Sequence, residues 1–169
     1  HNSGVEVSFA RSNYTQPPVN NDYLISSIEK SEPGNTPEFI GEILTYDAKS
    51  NICEYRGKDG VTNCIIWGYN YIYPVAKITA ASYASVTALI PGGVAGIQSL
   101  DGTALLGALH NIRTGLPDAI VTTYTYKHLT GVTSITDPGN RKTTYEYDGF
   151  SRLLTITDKD GNVVKKNEY

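Results

Sequence analysis

The sequence feature that most constrains this chain is the segment 145–161 (YEYDGFSRLLTITDKDG), whose pattern recurs earlier in the chain. Tyr145 and Tyr147 fall on one face of an extended backbone, because side chains along a strand alternate with a period of two. Asp148-Gly149 then interrupts the run with turn residues, and a β-branched, apolar run follows. The segment therefore predicts a strand, a turn, a second strand and a second turn.

Two earlier parts of the chain repeat this pattern. At an offset of 21 residues, 124–126 aligns with 145–147, although Lys127-His128 replaces the Asp-Gly pair. At an offset of 101 residues, 46–47 aligns with 147–148 and 58–60 aligns with 159–161. Matches in both registers indicate an internal repeat of one hairpin-forming unit. The sequence thus predicts a mainly β fold in which antiparallel hairpins form a curved sheet or part of a β-shell.

The residues of this repeat resemble the YD repeat of the Rhs family. That pattern consists of a tyrosine, a Tyr-Asp pair, a glycine, an Arg-Leu pair and a later glycine. The corresponding residues here are Tyr145, Tyr147, Asp148, Gly149, Arg152, Leu153 and Gly161, and in the earlier copy Tyr46, Asp47 and Gly60. The order of YNYIYPVAKI, a helical segment and LPDAIVTTYTY is also similar to that in Rhs-type surface proteins of Bacteroidota.

The resemblance implies a structural role without catalysis. In that family, hairpin strips wind into a large hollow β-structure that can enclose a toxin or display a tip domain at the cell surface. It implies an extracellular or bacterial cell-surface location and no cofactor. The partner would be the remainder of a longer Rhs polypeptide, or another chain that pairs with the strand edge at 163–169, where a further repeat would begin.

Composition narrows the possible functions. A net charge of −3 and a pI near 5.6 argue against a nucleic-acid-binding protein, which would carry a basic surface. No apolar run reaches the length of a membrane-spanning helix.

The chain contains no Met, so we expect it to be a processed piece, an engineered chain or part of a longer polypeptide. The chain has 13 Tyr but only 3 Phe. Tyrosine suits half-buried strands, because its ring can pack while its hydroxyl reaches water or a polar partner.

The chain divides into four parts that are expected to form one structural unit. Within the first part, the pattern predicts strands at 5–9, 24–29 and from 39 to 46, with a loop at 13–22 and a turn at 33–35. The four parts are N-terminal strands and loops of unassigned type at 1–40, a YD-like hairpin and an aromatic strand at 41–78, a helical insertion at 79–117, and tandem YD hairpins at 118–169.

Two cysteines flank the turn of the first hairpin. A hairpin centred on GKDG (57–60) pairs residues whose numbers sum to 117, and Cys53 and Cys64 satisfy this sum. The two side chains are therefore predicted to face each other, with Cα atoms within about 6 Å. They could form a cross-strand disulfide, or they could be two small apolar side chains buried side by side.

The segment 67–73 predicts an aromatic stripe. Trp67, Tyr69, Tyr71 and Tyr73 alternate, so in a strand all four rings would project from one face. Such a stripe could be a stacking platform for sugar rings. The interpretation that we favour is packing against a sheet, because aromatic side chains dominate buried strand faces.

Residues 79–115 change to helical spacing. Tyr83, Val86 and Ile90 predict a first helix that stops at Pro91, and 92–96 predicts a glycine-rich loop. Asp101 is expected to cap a second helix with an apolar stripe of Leu105, Leu109 and Ile112, ended by Gly115 and Pro117. Two amphipathic helices inserted into a β protein are expected to cover an exposed face or an open end.

Residues for catalysis or metal binding are scarce. The histidines are His1, His110 and His128, and no nucleophile elbow, HExxH or CxxC motif occurs. Asp158, Asp160 and Asn162 resemble the start of a calcium loop, but Gly161 is misplaced and the twelfth position lacks Glu. We therefore predict that the chain is not an enzyme and binds no metal. Two functions remain: a structural segment of a YD-repeat shell, or a carbohydrate-binding module that uses the tyrosine-rich faces.

Overall fold

The computed structural model describes residues 8–15 and 23–169, which form one antiparallel sheet with three helices on one face. Each strand pairs only with its neighbours along the chain, so the sheet is a simple meander from β1 to β11. The strands are β1 (Phe9–Thr15), β2 (Leu24–Ser31), β3 (Glu38–Tyr46), β4 (Ile52–Gly57), β5 (Thr62–Gly68), β6 (Tyr73–Thr79), β7 (Ile120–Lys127), β8 (Gly131–Thr136), β9 (Lys142–Tyr147), β10 (Leu153–Thr157) and β11 (Val163–Lys166).

The predicted repeat is confirmed at the level of secondary structure. Residues 46–60 and 145–161 each form the end of a strand, a turn, a strand and a further turn. The predicted strands at 24–29 and 39–46 correspond to β2 and β3. The two copies, β3–β4 and β9–β10, are 101 residues apart along the chain. Both belong to one continuous sheet rather than to separate domains.

The N-terminal part differs from its prediction where it is described. Residues 13–15 belong to β1, whereas the sequence predicted a loop from 13 onwards. Asn13 is held there by a hydrogen bond from its Nδ2 to Ser27 Oγ at 2.9 Å, a contact with the neighbouring strand that local sequence does not reveal. The remainder of the predicted loop, 16–22, and the first part of the predicted strand, 5–7, lie outside the described residues.

The helical insertion contains three helices instead of the predicted two. These are α1 (Tyr83–Thr87), α2 (Gly93–Ile97) and α3 (Gly102–Gly115). The glycine-rich segment predicted as a loop contributes α2, whose Ile97 is fully buried and so draws the segment onto the core. Asp101 stands at the start of α3, but its side chain makes no capping hydrogen bond. The helix ends at Gly115, as predicted.

The core lies between the helices and the middle of the sheet. The helices cover one face of β5, β6 and β7, which we call the helix face. Ile66, Ile78 and Val121 of these strands and Leu105 and Ile112 of α3 are each at most 2% exposed. Burial of a side chain of this size contributes roughly 1.5–3 kcal/mol, so this layer is the main apolar core. The opposite side of the sheet is called the open face.

The strand ends form two rims, because successive strands run in opposite directions. The first rim contains the turns 47–51, 69–72, 127–131 and 148–152. The second rim contains the turns 57–61, 137–141 and 158–162, together with the two ends of the helical insertion. Arg113 of α3 reaches this second rim and donates to the carbonyl oxygens of Asp137 and Thr136 at 2.9 and 3.2 Å. The insertion is thereby tied to the repeat region.

Candidate functional site

The most regular feature of the structure is a five-residue turn that begins with aspartate. In 148–152, the backbone N–H of Asp148 donates to the Arg152 carbonyl at 2.9 Å, and the N–H of Ser151 donates to the Asp148 carbonyl at 3.0 Å. Oδ1 of Asp148 accepts from the backbone N–H groups of Phe150 and Arg152 at 2.8 and 3.0 Å. One carboxylate thus accepts hydrogen bonds from two backbone N–H groups that have no backbone partner within the turn.

This turn occurs four times, at 47–51, 137–141, 148–152 and 158–162. In every copy the fifth residue is Asn or Arg, and its side chain donates to the aspartate Oδ2 at 2.7–3.1 Å. The fourth residue of each copy has a positive φ: Ser50 at 63°, Asn140 at 60°, Ser151 at 61° and Gly161 at 86°. The repeated unit is therefore defined by Asp and by Asn or Arg four residues later.

The turn geometry favours ionised carboxylates. The hydrogen bond from the backbone N–H of the fifth residue is the main cause that lowers the pKa of Asp137 and of Asp148. For Asp158 the main cause is the hydrogen bond from the Asn162 side chain, and that pKa is also lowered. Arg152 additionally forms an ion pair with Asp148, with 2.7 Å between Nη2 and Oδ2. The role of Arg152 is therefore to close its own turn.

The tyrosine of the Tyr-Asp pair bonds to the preceding strand. Each of three tyrosines stands directly before a first-rim turn and donates its hydroxyl to a backbone carbonyl: Tyr46 to Ile25 at 2.7 Å, Tyr126 to Pro74 at 3.0 Å, and Tyr147 to Val132 at 2.9 Å. We call these contacts the tyrosine latches. Burial raises the pKa of the Tyr126 hydroxyl to about 12, consistent with a proton that is retained in this bond.

The other repeat-defining residues have less uniform roles. Gly149 has no atom within 4 Å of the position where a Cβ would lie, and its φ is not positive. The turn predicted from Asp148-Gly149 is present, and its left-handed residue is Ser151 rather than the glycine. Gly60, with φ of 73°, takes a conformation that favours glycine. Leu153 pairs with Tyr147 across the hairpin and is half-buried.

The aromatic segment does not form the continuous strand that was predicted. β5 ends at Gly68 and β6 begins at Tyr73, and the residues between them form a turn. Tyr69, Asn70 and Tyr71 all have left-handed backbone conformations, with φ of 51°, 58° and 65°. The alternation that would place four rings on one face is therefore interrupted after Trp67.

Tyr69 and Tyr73 instead form an aromatic cluster with Tyr126. The rings of Tyr73 and Tyr126 stack with centroids 4.7 Å apart, and Tyr69 meets each of them edge-on at 5.8 Å. The Tyr69 hydroxyl accepts a hydrogen bond from the Tyr126 backbone N–H at 2.9 Å. Trp67 donates from Nε1 to the Ile52 carbonyl at 2.9 Å. These ring faces and polar groups are thus engaged within the protein.

The left-handed turn is held by contacts from distant residues. A left-handed conformation costs roughly 1–2 kcal/mol for each non-glycine residue, so three in succession need compensation. Gln98, at the end of α2, accepts from the Tyr71 N–H at 2.7 Å and donates to the Trp67 carbonyl at 2.8 Å. Its own carbonyl accepts from the Asn70 N–H at 3.2 Å. From the other side, Asn51 Nδ2 donates to the Tyr71 carbonyl at 3.0 Å.

The cysteines lie in the predicted hairpin, but the register differs by one residue. Cys64 pairs with Glu54, not with Cys53. The shift is set by the turn 57–61, because Arg56 already pairs with Thr62 directly beside it, one residue away from the predicted register. Cys53 is the extra residue of a separate bulge in the pairing of β4 with β3. Both cysteines are free and at most 1% exposed. The structure therefore contains two buried thiols rather than a disulfide, and burial raises the pKa of Cys53 to about 11 and that of Cys64 to about 12.

The open face carries apolar residues on β2–β5 and on β7–β10, separated at β6 by the exposed Lys77. The strand pairings place these residues on that face: Ile28, Ile43, Tyr55, Ile65, Tyr124, Ile135, Tyr145 and Ile156. At β2–β5 these residues line a groove of about 430 Å³. On the helix face of the repeat region the aligned residues are Ser134, Thr144 and Thr157. No helix in the described part of the chain packs on the open face.

The described residues offer little for chemistry. No group of three or more His, Cys, Asp or Glu side chains among them could hold a metal ion. His110 and His128 are both exposed, as expected for His110 from its place on the polar side of its helix. No helix among residues 8–15 and 23–169 is long and apolar enough to cross a membrane.

The comparison with known families identifies the repeat. The family model described as RHS Repeat matches residues 129–163, a region that contains β8, β9 and β10 and includes the predicted unit at 145–161. This region is a structural repeat of a kind generally found in extracellular or cell-surface proteins. No curated protein matches the chain.

Proposed function

We propose that this RHS-repeat chain is a non-catalytic structural segment of a secreted or cell-surface protein, and that its sheet is one part of a larger β-shell. Such a shell would enclose or present another domain, such as a toxin or a tip domain. The observation that carries the proposal is β11, a repeat strand that pairs on only one side within the described residues. The open apolar face and the tyrosine latches support it.

The last strand presents a second edge, and this edge is where we place the partner. All four residues of β11 are exposed, and Val163 and Val164 are 58% and 67% exposed. Within the described residues this strand pairs only with β10. An edge strand with exposed valines attracts another strand, because its outer backbone groups have no partner of their own. A further hairpin, from the same polypeptide or from another, is the partner that we propose.

Along the strands of the repeat region, apolar and polar side chains alternate between the two faces of the sheet. This pattern is expected of a shell whose two faces meet different surroundings. In the repeat region Tyr124, Ile135, Tyr145 and Ile156 lie on one side, whereas Ser134 and Thr144 lie on the other. A single repeat unit cannot bury this apolar side by itself, because a one-layer sheet has no second layer to cover it. A closed shell would remove this side from bulk water.

The repeat unit also suits extension to any length. Each tyrosine latch reaches only the preceding strand, and among the described residues the carboxylate of each aspartate turn bonds only within its own turn. A new hairpin therefore needs one existing strand and no rearrangement of the others. This property favours a segment of a long sheet over a free-standing binding domain.

A strand-complementation experiment tests the proposal. A synthetic peptide with the sequence of residues 142–157 provides one repeat hairpin, and hydrogen exchange reports protection of the β11 amides. We expect the peptide to slow exchange at 163–166, and Val164→Lys, which adds charge to the edge, to weaken this effect. The control is the same peptide with N-methylated backbone amides. Unchanged exchange with every peptide, from a protein that stays monomeric, would contradict the proposal.

The carbohydrate-binding alternative has weaker support. Trp67, Tyr69, Tyr71 and Tyr73 are all half-buried, so part of each ring remains accessible. However, Tyr73 uses a ring face to stack on Tyr126, and the Tyr69 hydroxyl is occupied by a backbone amide. A glycan array probed with the wild type and with Tyr71→Ala distinguishes the two functions, because a wall segment should bind no glycan in either form.

A further inference from the structure

Beyond this structural role, we propose that the first rim of the sheet binds the surface of a lipid bilayer that contains anionic lipids. In this arrangement the apolar side chains at the turn tips enter the headgroup region, and the strands stand approximately along the membrane normal. The proposal is carried by the one-sided distribution of exposed apolar side chains within the turns of the two rims.

The turns of the first rim form one contiguous surface. Asn51 Nδ2 donates to the Tyr71 carbonyl at 3.0 Å, which joins turns 47–51 and 69–72. The Tyr73 and His128 rings lie 6.3 Å apart and join the next pair of turns. Thr130 Oγ1 lies 3.2 Å from Ser151 Oγ. The rim therefore behaves as a row of tips rather than as separate loops.

Each of the last three turns exposes a large apolar side chain. Ile72 is 50% exposed, Leu129 is 84% exposed and Phe150 is 83% exposed. Tyr169, 68% exposed, stands beside them with its ring 4.3 Å from the Arg152 guanidinium carbon. In contrast, no large apolar side chain is exposed in the second-rim turns 57–61, 137–141 and 158–162. The strand residues beside the second rim do include exposed apolar side chains, with Ile120 at 55% and Val163 at 58%, so the difference between the rims lies in the turns themselves.

The repeated aspartate turn allows a direct comparison of the rims. The third residue of this turn is its tip, and it is Lys49 or Phe150 on the first rim but Gly139 or Asp160 on the second. All four turns share one hydrogen-bond pattern, so the geometry does not require an aromatic residue at the tip. Turn tips ordinarily favour small polar residues. Within the turn the Arg152 guanidinium carbon lies 5.3 Å from the Phe150 ring centroid, a cation–π contact that still leaves the side chain 83% exposed.

Leu129 is a second residue whose position folding does not explain. Its φ is 56°, a left-handed conformation that disfavours a branched apolar side chain. At 84% exposure it also gains almost no burial in return. Asn or Gly would suit this backbone better, and residues in such conformations concentrate where function holds them. Contact with an apolar phase would supply the missing stabilisation.

The charges on this rim suit an anionic surface. Lys49, Lys127 and His128 are exposed, and neither lysine forms an ion pair within the described part of the chain. The Asp148 carboxylate is turned inward to the amides of its own turn. Apolar tips between cations are characteristic of proteins that lie in the membrane interface.

The shape of the rim favours a bilayer over a protein partner. Neighbouring turns are separated by two strands, so their tips stand roughly 10 Å apart. Isolated side chains at this spacing leave gaps that a rigid partner surface would have to fill. Lipid headgroups adapt to such gaps, and interfacial side chains need to enter by only about 5–10 Å.

A vesicle flotation assay tests the proposal. The protein is incubated with vesicles of phosphatidylcholine alone or of phosphatidylcholine mixed with phosphatidylglycerol. The test variant combines Leu129→Asn, which suits the left-handed backbone, with Phe150→Gly, the residue at the equivalent tip 139. The control variant is Ile120→Asn, because Ile120 is 55% exposed but lies towards the second rim. Thermal melting establishes that all three proteins remain folded.

We expect the wild type and the Ile120→Asn control to float with the anionic vesicles. The double variant should bind roughly tenfold more weakly for each apolar side chain removed. Failure of the wild type to float, or equal flotation of the wild type and the double variant, would overturn the proposal. So would a double variant that loses self-association in solution without any change in flotation, since that result assigns the rim to protein contacts.

Discussion

Gly131 and Tyr147 fit together with no space for a methyl group between them. A Cβ on Gly131 would lie 2.6 Å from the Tyr147 hydroxyl oxygen and 3.1 Å from its Cζ. The ring cannot simply move aside, because its hydroxyl donates to the Val132 carbonyl at 2.9 Å. The middle repeat therefore depends on a glycine that the sequence motif does not include.

Gly131→Ala should destabilise the protein by about 1–3 kcal/mol, the cost typical of overpacking. The matched control is Gly149→Ala, because Gly149 has open space around the Cβ position. That control should leave the free energy of unfolding unchanged or raise it by up to about 1 kcal/mol, since alanine restricts the unfolded chain. Urea denaturation measures both, and equal losses in the two variants would refute the packing argument.

The support that Gln98 gives to the left-handed turn can be measured in the same way. Gln98→Ala removes hydrogen bonds to Tyr71 and Trp67 and should cost about 1–3 kcal/mol. Asn70→Gly relieves one left-handed residue and should be neutral or stabilising by up to about 1 kcal/mol. Ser99→Ala, an exposed neighbour, is the control. Fluorescence of Trp67, the single Trp, follows the unfolding. A Gln98→Ala variant as stable as the wild type would show that the turn does not depend on the Gln98 side chain.

The aspartate turns should make stability sensitive to acid. The pKa values of Asp137, Asp148 and Asp158 are lowered in the folded protein. A lowered folded pKa contributes stability above the unfolded value of about 3.9, and this contribution is lost as the pH falls through the folded pKa. Asp148→Ala should therefore lower the urea midpoint at pH 7 and have a smaller effect near pH 3.

The control for this experiment is Asp160→Ala, because the Asp160 carboxylate bonds only to the Lys159 side chain. It should show little effect at either pH. If Asp148→Ala had the same effect at pH 7 and pH 3, ionisation of the turn would not be involved.

The two thiols should be unreactive in the folded protein. Their burial and their pKa values of about 11 and about 12 leave almost no thiolate at pH 8. With dithiobisnitrobenzoate we expect no reaction under native conditions and two reactive thiols after denaturation without a reductant. No reactive thiol after denaturation would instead reveal a disulfide between Cys53 and Cys64.

The sequence was sufficient to predict what depends on local pattern. The hairpins at 46–60 and 145–161, the mainly β fold and the helical insertion all followed from alternation, turn residues and helical spacing. The more accurate repeat signal is Asp with Asn or Arg four residues later. It was present in the sequence, but the family pattern assigns the Asp to its Tyr-Asp pair and the Arg to its Arg-Leu pair, so the two were not read together. Comparison of DAKSN, DPGNR, DGFSR and DKDGN would have revealed it.

The errors arose at two turns. The turn at 57–61 is centred on Asp59 rather than between Lys58 and Asp59, which moves the β4–β5 register by one residue. The turn at 69–71 contains no glycine, so alternation predicted a strand. It is held by Gln98, which lies 27 residues from Tyr71 along the chain. Contacts of this kind cannot be inferred from a window of neighbouring residues.

The meander order has a consequence for how the chain acquires its structure. Each strand finds its partner in the strand made just before it, so assembly can proceed in step with synthesis without waiting for remote segments. β7 is the exception, because the whole helical insertion separates it from β6, although Thr79 and Ile120 at their ends are directly paired. Growth of the sheet should pause at this junction until the helices have collapsed, and the RHS repeat can join only after that step.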